Sequence, residues 1–510
     1  MPDILTDWVH YHSVRRPDSV ALSQAETGET LTWIALERRV AALAGALRAH
    51  GIEKGARVAV VADNDLRVLE TQFACFRIGA VFMPLNWRLT AVELSAQISD
   101  SEPSAVVHDG TWSKLVDEIL AARAVEHRLA WDADTAIPNY ENVLAAGSPV
   151  PAGLLEPDAV AQLLYTSGTT GRAKGVLITH GMMATHAVNL AHSSRVAEPD
   201  CHHLNIVPWF HAGGLNVFTN PILYWGGRVT TTRRFDTQQT LELLVDPALG
   251  ITHLCGVLQM YEWMIRTDGF ATIEFPALHT VLFGGWSPAT RGVYRAFRDR
   301  GVRLQLGYGA TELGPLVTVL SQANDEAAEN GSSGTLLPHT QLRLTDASGN
   351  EVEPGDAGEL SVRGGAVTPG YWGSPDDEAL DGEWFRTGDA GRVDEHGHLY
   401  IVGRIKEMYR SGGENVYPAE VEDALVDLPG VRDLAVVGVP DDQWGEVGLL
   451  AVVLDHGASL TLEDVHSYAA GRLARFKFPA QLLIIDELPR SATDKVSRPA
   501  LRHQFESARA

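Results

Sequence analysis

The chain has 510 residues, of which 45% are hydrophobic, so it can bury a large core and is long enough for more than one domain. Its formal net charge of −24 repels phosphate polymers and anionic headgroups, which disfavours nucleic acid and membranes as partners. Because its 3 cysteines fit no metal or disulfide pattern, and no stretch is typical of a signal peptide or a bilayer-spanning helix, we expect a soluble cytoplasmic protein without stable membrane insertion.

The first half of the chain alternates helical and strand patterns. Apolar residues at helical spacing predict helices over 32–52 and 66–80. Short apolar runs predict buried strands over 57–63, 81–85 and 105–109. Strands that alternate with helices favour α/β layers on a mostly parallel sheet, and this is the fold class that we expect here.

The second half has a different pattern. The acidic run 325–330 is predicted to be a solvated surface loop. Over 340–365, short strand-like pieces alternate with Ser-Gly-Asn and Pro-Gly-Asp turns, which predicts antiparallel hairpins. The helix, strand and helix predicted in the last part of the chain cover 420–428, 431–441 and 460–474. We therefore predict two domains, over residues 1–404 and 405–510.

A glycine-rich segment, "YTSGTTGRAKGV" at 165–176, follows an apolar run. Gly168, Gly171 and Gly175 let backbone N–H groups turn inward, the Ser and Thr hydroxyls add donors, and Lys174 adds charge. The Gly-Lys-Ser/Thr ending of a Walker loop is absent. A surface turn would account for the glycines but not for the hydroxyl residues and the lysine beside them. The segment therefore predicts a phosphate-binding loop.

This segment resembles the signature loop of the adenylate-forming superfamily, which includes acyl-CoA synthetases, adenylation domains of peptide synthetases and firefly-type luciferases. Five further stretches resemble the other motifs of that superfamily in the same order: VPWFHAGG (207–214), GYGATEL (307–313), WFRTGD (384–389), GRIKEMYRSGGENVYPAEVE (403–422) and PRSATDKVSR (489–498). The resemblance implies a large N-terminal domain of α/β layers with a small β-barrel-like part, and a smaller, mobile α+β C-terminal domain.

The resemblance also implies a site for ATP and Mg²⁺. Glu312 matches the metal ligand, since Mg²⁺ prefers carboxylate and phosphate oxygens, and Asp389 offers two acceptors to the ribose hydroxyls. Arg404 would bind ribose or phosphate, and Tyr308 would offer a flat face to adenine, although a tyrosine between glycines is ordinarily a packed strand residue. Lys174, His211 and Glu312 are implied to be catalytic. The implied nucleotide-binding residues are Thr166, Ser167, Gly168, Thr169, Thr170, Gly284, Gly285, Tyr308, Gly309, Thr311, Asp389 and Arg404.

The C-terminal segments imply a catalytic lysine, a hinge and a channel for coenzyme A. Lys495 matches the lysine that catalyses adenylate formation, but Asp494 stands where the superfamily usually has glycine, and pairing between the two would weaken that step. Lys406 matches the hinge about which the small domain rotates. Gly412 and Gly413 either leave room for the pantetheine arm of coenzyme A or form a tight turn.

The acid pocket is implied to lie beside His211 and Gly309. The stretches 212–227 and 253–264 are apolar, which favours a hydrophobic acid, either fatty or aromatic. Trp286 stands where the superfamily usually has a small residue. An indole in the acid tunnel would favour short, medium or planar acids, whereas an indole packed in the core would not affect selectivity.

We therefore predict an ATP-dependent acid–CoA ligase that forms acyl-AMP and pyrophosphate and then transfers the acyl group to coenzyme A. Arg475 and Lys477 are candidate cations for the CoA phosphates. Acylation of a carrier protein, luciferase-like oxidation and a nucleotide-binding regulator without ligase activity stay open as alternatives. The predicted partners are small molecules (a carboxylic acid, ATP and CoA), and homodimers are common among such enzymes.

Overall fold

A computed structural model of the protein describes residues 5–133, 137–166, 173–284, 289–320, 325–346, 348–374, 377–411, 414–441, 443–490 and 496–509. Its strands, numbered in chain order, are β1 (Leu5–Thr6), β2 (Val20–Gln24), β3 (Thr30–Thr32), β4 (Arg57–Val61), β5 (Val81–Pro84), β6 (Ala105–Asp109), β7 (His127–Trp131), β8 (Leu154–Leu155), β9 (Val160–Thr166), β10 (Lys174–Thr179), β11 (His202–Asn205), β12 (Arg228–Thr231), β13 (His253–Cys255), β14 (Thr280–Gly284), β15 (Arg303–Tyr308), β16 (Thr318–Val319), β17 (Thr335–Leu336), β18 (Thr340–Thr345), β19 (Gly358–Gly364), β20 (Leu380–Asp381), β21 (Trp384–Val393), β22 (Leu399–Arg404), β23 (Tyr409–Ser411), β24 (Glu414–Val416), β25 (Val431–Asp441), β26 (Gly445–Leu454) and β27 (Gln481–Ile484).

The α-helices are α1 (Trp8–Arg15), α2 (Trp33–Ala49), α3 (Leu66–Ile78), α4 (Ala91–Ser101), α5 (Ser113–Ala122), α6 (Tyr140–Ala146), α7 (His180–Ser193), α8 (Thr219–Trp225), α9 (Thr237–Val245), α10 (Leu258–Ile265), α11 (Ala289–Arg298), α12 (Asp325–Glu329), α13 (Pro418–Leu425), α14 (Leu462–Ala469) and α15 (Arg498–Arg509). Shorter 3₁₀ and π turns are named below where they matter.

Two largely parallel sheets dominate the N-terminal part of the chain. One has the strand order β10-β9-β5-β4-β6-β7, and the other has the order β17-β16-β15-β14-β13-β11-β12-β2-β3. Antiparallel pairs lie towards their edges: β9 with β10, β2 with β3, β15 with β16, and β16 with β17. The predicted helices α2 and α3, the predicted strands β4, β5 and β6, and the mostly parallel pairing are confirmed.

Alternate residues of β4 show how helices cover both faces of the first sheet. Val58 and Val60 belong to a central apolar cluster with α2, α3, α7 and α8, whereas Ala59 and Val61 belong to an outer cluster with α4 and α5. The central cluster also takes in residues of β2 and β12 from the second sheet, and α9, α10 and α11 cover the other face of that sheet. Since helices occupy the faces, the carboxyl ends of the parallel strands are the natural place for a ligand.

Local signals explain where the predicted helices begin and end. The Thr32 side chain accepts a hydrogen bond from the Ala35 N–H at the start of α2. Helix α3 ends at Gly79, which adopts a φ of 73° that favours glycine. Among the residues that the structure describes, no helix has both the length and the apolarity that a bilayer crossing requires.

A third, antiparallel sheet follows the parallel ones and contains β18, β19, β20, β21 and β22. Strand β18 pairs with β19 along its whole length, from Thr340 opposite Gly364 to Thr345 opposite Glu359. The hairpins predicted over 340–365 are therefore confirmed. This sheet is the small β part of the N-terminal domain, and its strands β21 and β22 place two of the predicted site residues.

The last sheet contains β23 to β27 and carries helices on both of its faces. Along β25, Val436 packs in a cluster with α13 and α14, whereas its neighbour Val437 packs with Leu501 of α15. This is the α+β unit expected at the C-terminus. It is preceded by the 3₁₀ turn Ile405–Glu407, which contains Lys406.

One sequence prediction is wrong. The segment 325–330 is not a solvated loop, because α12 covers most of it and buries Ala327 and Ala328. Its first two residues, Asp325 and Glu326, are acids, which the positive end of a helix favours. Glu329 pairs with Arg295 of α11 at 2.5 Å. The two alanines inside the acidic run are the signal that a reading from charge alone misses.

Candidate active site

Several predicted site residues lie at or just after the carboxyl ends of the neighbouring strands β14 and β15. Strand β14 ends at Gly284 and strand β15 ends at Tyr308, and Gly284 pairs with Gly307 across the two strands. The chain then turns back on itself, so that a Cβ atom at Gly309 would lie 1.9 Å from the Pro315 carbonyl oxygen. Gly309 is therefore required by a close backbone approach. The 3₁₀ turn Thr311–Leu313 follows and carries Glu312.

Tyr308, Asp389 and Arg404 form a hydrogen-bonded trio. The Tyr308 hydroxyl donates to Asp389 Oδ2 at 2.6 Å, and Arg404 Nε pairs with Asp389 Oδ1 at 2.7 Å. Register brings the last two together, because Asp389 on β21 lies directly opposite Arg404 on β22. Burial, and then the nearby Asp389 charge, raise the pKa of Tyr308, so its phenol stays protonated and donates. Both carboxylate oxygens of Asp389 are thus held in a fixed orientation.

Tyr371 contacts both Lys174 and Glu312. The Tyr371 hydroxyl donates to Glu312 Oε1 at 2.9 Å, and the Lys174 ammonium lies 4.7 Å from the centre of the Tyr371 ring. Lys174 Nζ also donates to Asp377 Oδ2 at 2.5 Å. Burial acts to raise the pKa of Asp377, but the hydrogen bonds from Lys174 and from the Ala379 N–H, together with the Lys174 charge, outweigh it and the pKa is lowered. The sequence analysis missed Tyr371 and Asp377, although "PGYWG" at 369–373 is a glycine-flanked aromatic pair that marks a close approach.

The ends of the predicted phosphate loop are fixed by strand pairing. Thr166 at the end of β9 lies opposite Lys174 at the start of β10. The backbone N–H of Trp372 donates to the Gly175 carbonyl oxygen at 2.7 Å, which ties β10 to the Tyr371 segment. The remaining predicted residues in or near these loops lie outside the described residues: Ser167, Gly168, Thr169, Thr170, Gly285, Trp286, Gly412, Gly413, Asp494 and Lys495.

His211 lies at a bend that leads into the π-helix Gly213–Val217. Its carbonyl oxygen accepts a backbone hydrogen bond from Leu215 at 3.1 Å, and its ring centre lies 4.6 Å from that of Phe210. A Cβ atom at Gly214 would lie 2.5 Å from the Pro208 carbonyl oxygen, so the HAGG sequence allows a turn that another residue would block. π-Helices are rare and are frequently found at functional sites.

An aromatic and cationic cluster borders Phe210. The rings of Trp87 and Trp112 stack with centres 4.6 Å apart, and Trp87 contacts Phe210 edge to face. Arg88 lies 5.0 Å over Trp87, and Arg234 lies 4.9 Å over the same ring. Burial, and then repulsion from Arg234, lower the pKa of Arg88. Arg234 also pairs with Asp63 at 3.2 Å, so the cluster holds two guanidinium groups and one carboxylate beside flat apolar rings.

The C-terminal unit contacts the N-terminal part of the chain through an ion pair between α13 and α11. Arg291 of α11 pairs with Asp423 of α13 at 3.5 Å. Lys477, one of the cations suggested for the CoA phosphates, donates to Glu420 within the C-terminal unit, so its charge is locally balanced. Lys406 lies in the turn between β22 and β23, as a hinge residue would.

Glu312 is the single residue on which the predicted Mg²⁺ site depends. In the part of the chain that the structure describes, no three His, Cys, Asp or Glu side chains are grouped to hold a metal ion. Mg²⁺ that binds nucleotides usually takes one or two carboxylates and completes its shell with phosphate oxygens and water. A single partly buried carboxylate beside the predicted phosphate loop fits that kind of site.

Comparisons with known proteins agree with this geometry. The sequence model described as AMP-binding enzyme matches residues 9–372, and the model described as AMP-binding enzyme C-terminal domain matches residues 420–495. The chain belongs to the AMP-binding enzyme family. The predicted resemblance, the fold class and the assignment as an AMP-forming acyl-CoA synthetase are confirmed.

Individual relatives extend over nearly the whole chain. A feruloyl-CoA synthase from Amycolatopsis sp is 38% identical, over 94% of this chain and 94% of its own. An indoleacetate–CoA ligase from Aromatoleum aromaticum is 36% identical, over 98% of this chain and 97% of its own. The o-succinylbenzoate CoA synthetase from Bacillus subtilis, solved with its acyl-adenylate intermediate, has a TM-score of 0.82 at 28% identity and covers 98% of both chains. A structure of that protein with ATP and magnesium ion has a TM-score of 0.83 at 28% identity, over 99% of this chain and 100% of its own.

Proposed function

We propose that this AMP-binding enzyme activates an aromatic carboxylic acid with ATP and transfers the acyl group to coenzyme A. The observation that carries the proposal is the hydrogen-bonded trio of Tyr308, Asp389 and Arg404, with Glu312 in the turn that follows the strand of Tyr308. The aromatic acid class is favoured over a fatty acid by the two relatives that are named for feruloyl-CoA and indoleacetate. The apolar stretches 212–227 and 253–264 would form the walls of the acid pocket beside His211, Gly309 and Trp286.

In the first half-reaction, a carboxylate oxygen of the acid attacks the α-phosphorus of ATP, and the bond to the bridging oxygen of pyrophosphate breaks. Asp389 would accept hydrogen bonds from the ribose hydroxyls, in the orientation that Tyr308 and Arg404 impose on it. Lys174, Thr166 and residues 167–170 would hold the phosphates, and Mg²⁺ bound by Glu312 would neutralise part of their charge. The Lys495 ammonium would stabilise the charge that develops between carboxylate and phosphate.

In the second half-reaction, the CoA thiolate attacks the acyl carbonyl carbon, and AMP leaves. We infer a domain boundary between residues 404 and 405, with rotation about Lys406 removing Lys495 and admitting the pantetheine arm past Gly412 and Gly413. The cluster of Arg88 and Arg234 on Trp87 would bind the phosphates of CoA. Since Lys477 is balanced by Glu420, we assign it a smaller part in CoA binding than Arg88.

We also propose that the enzyme is cytoplasmic, forms a homodimer and has no nucleic acid partners. The net charge of −24 supports small-molecule rather than nucleic acid partners. The three cysteines are free and buried, as in proteins of reducing compartments.

The test is a panel of carboxylic acids assayed by ATP–pyrophosphate exchange and then by CoA-dependent release of AMP. Hydroxycinnamic, arylacetic and benzoic acids should support both reactions with higher kcat/KM than straight-chain fatty acids. The Trp286→Ala variant should gain activity on longer acids. Absence of exchange with every acid would refute the enzyme function, whereas exchange with a preference for fatty acids would refute only the aromatic class.

A further inference from the structure

Four side-chain amides form a closed ring of hydrogen bonds beside the candidate site. Gln72 and Gln162 are fully buried, and Asn216 and Asn220 are 5% and 2% exposed. Gln72 donates to Asn220 at 2.8 Å, Asn220 to Asn216 at 2.7 Å, Asn216 to Gln162 at 2.8 Å, and Gln162 back to Gln72 at 2.9 Å. Each amide therefore donates at least once and accepts at least once within this amide ring, and Asn220 also donates to Gln72 at 3.4 Å.

The amide ring joins four segments that are distant in sequence. Gln72 lies on α3, Gln162 on β9, Asn216 in the π-helix Gly213–Val217, and Asn220 on α8. Apolar side chains of similar size would fill the same space without the cost of burying four amides. A polar ring also constrains relative orientation, because each hydrogen bond fixes the distance between its two partners and their rotation. A buried ring of this kind therefore specifies how the four segments sit against one another.

Two of these segments lead directly into the candidate site. Asn216 belongs to the π-helix whose backbone hydrogen bonds begin at the His211 carbonyl oxygen. Gln162 lies on β9, four residues before Thr166 and the predicted phosphate loop. A small cavity next to the amide ring is lined by Asn216, Asn220 and Gly314, and Gly314 directly follows the turn that carries Glu312.

The π-helix, a rare conformation, is held from outside by side-chain hydrogen bonds. Here the Thr219 hydroxyl donates to the Gly214 carbonyl oxygen at 2.7 Å, and the amide ring supplies the link from Asn216 to the sheet. The hydrogen bond between Asn216 and Gln162 is the direct connection between the His211 segment and the strand of the phosphate loop.

We propose that the amide ring is a positioning device, which sets His211 and the acid pocket relative to the phosphate loop. The proposal rests on the function proposed above for His211 and for residues 166–174. The four residues of the amide ring contact neither the acid nor ATP. They act through the π-helix and β9. Loss of the amide ring should displace the acid pocket while β9 and β10, which remain paired along their length, keep the phosphate loop in place.

The test replaces all four amides at once: Gln72→Met, Gln162→Met, Asn216→Leu and Asn220→Leu. This variant leaves no ring amide buried without a partner, so the core can stay packed. We expect the KM for the acid in ATP–pyrophosphate exchange to rise about tenfold and the range of accepted acids to widen. The reason is that small displacements of a bound reactant have large effects on its reaction. The KM for ATP should stay within about twofold, and the melting temperature should change little.

Two further variants keep the outcome clear. If the fourfold variant does not fold, Gln72→Met/Gln162→Met replaces it, since this pair detaches the π-helix from α3 and β9 but keeps the hydrogen bond between Asn220 and Asn216. Gln97→Met is the matched control, because Gln97 is a buried glutamine on α4 outside the amide ring.

The readouts separate positioning from a purely structural role. A folded variant that keeps the acid KM within about twofold of the native value, or that raises the KM for acid and for ATP equally, overturns the proposal. An acid KM that rises in the ring variant but not in Gln97→Met supports it. Absence of exchange activity in the native enzyme would instead refute the proposed function.

Discussion

Removal of the Tyr308 hydroxyl tests the ribose end of the site. Tyr308→Phe keeps the ring and deletes one hydrogen bond, the 2.6 Å contact to Asp389, whose side chain is only 9% exposed. A buried hydrogen bond to a charged group contributes about 1.5–3 kcal/mol. Unfolding entropy is about 2 cal/mol/K per residue, so a domain of roughly 400 residues should lose about 2–4 °C in melting temperature.

The same change should weaken ATP binding. Asp389 keeps its pair with Arg404, but it loses the partner that fixes its second oxygen. One lost orienting hydrogen bond of about 1.4 kcal/mol corresponds to about a tenfold rise in the KM for ATP. The KM for the acid should change much less, because the acid does not contact Asp389 in the proposed mechanism. The assays are a thermal melt and ATP–pyrophosphate exchange at varied ATP.

The chain supplies a matched control for this prediction. The Tyr294 hydroxyl also donates to an aspartate at 2.6 Å, but that residue, Asp325, has a side chain that is 60% exposed. Tyr294→Phe should therefore cost only about 0.5–1 kcal/mol and leave the KM for ATP unchanged. Equal melting shifts in Tyr308→Phe and Tyr294→Phe, together with an unchanged KM for ATP in both, would refute the reasoning.

Three other predictions follow from the site and the core. Lys495→Ala should abolish acyl-adenylate formation far more than thioester formation from preformed adenylate, measured as separate half-reactions; equal losses would contradict domain alternation. Arg88→Ala should raise the KM for CoA about tenfold and leave ATP–pyrophosphate exchange unchanged, since the proposed contact forms only with CoA; a change in exchange of equal size would contradict it. Burial lowers the pKa of His186, His203 and His253 to about 3, from an ordinary value of 6.5. Their contribution to stability is thus complete above pH 6.5 and is lost as pH falls towards 3, by about 2 kcal/mol per histidine at pH 5; urea unfolding at pH 7.5 and 5 checks it, and equal stabilities would contradict it.

The sequence predicts best where one short segment carries the whole signal. The register of β18 with β19 follows from two turns and the strands between them, and the end of α3 follows from Gly79. The motif 307–313 likewise carries both Tyr308 and Glu312 within seven residues. In these cases the deciding interactions are local, so hydrophobic spacing, capping and turn residues are enough.

Contacts between distant segments could not be predicted in this way. Tyr371 and Asp377 reach Lys174 because the segment after β19 folds back against β10, and nothing in their own neighbourhood specifies that partner. The amide ring is a stronger case, since Gln72 and Gln162 lie in otherwise apolar segments and gain a meaning only when their elements are packed together. Polar residues in apolar runs are the signal, but the sequence alone does not say which of them meet.

Three cations of the site share one feature that links the acidic composition to the proposed chemistry. Lys174 is held by Asp377, Arg404 by Asp389 and Arg234 by Asp63, so each is oriented by a carboxylate before any ligand binds. A phosphate that approaches Lys174 competes with Asp377, which weakens binding, but it meets an ammonium group whose conformational entropy has already been lost. In a protein of net charge −24, such pairing keeps positive groups in place against the overall field without attracting anions elsewhere on the surface. Selectivity for a polyphosphate then follows from geometry, because only a ligand with several charges at the right spacing can displace one carboxylate while it binds beside another.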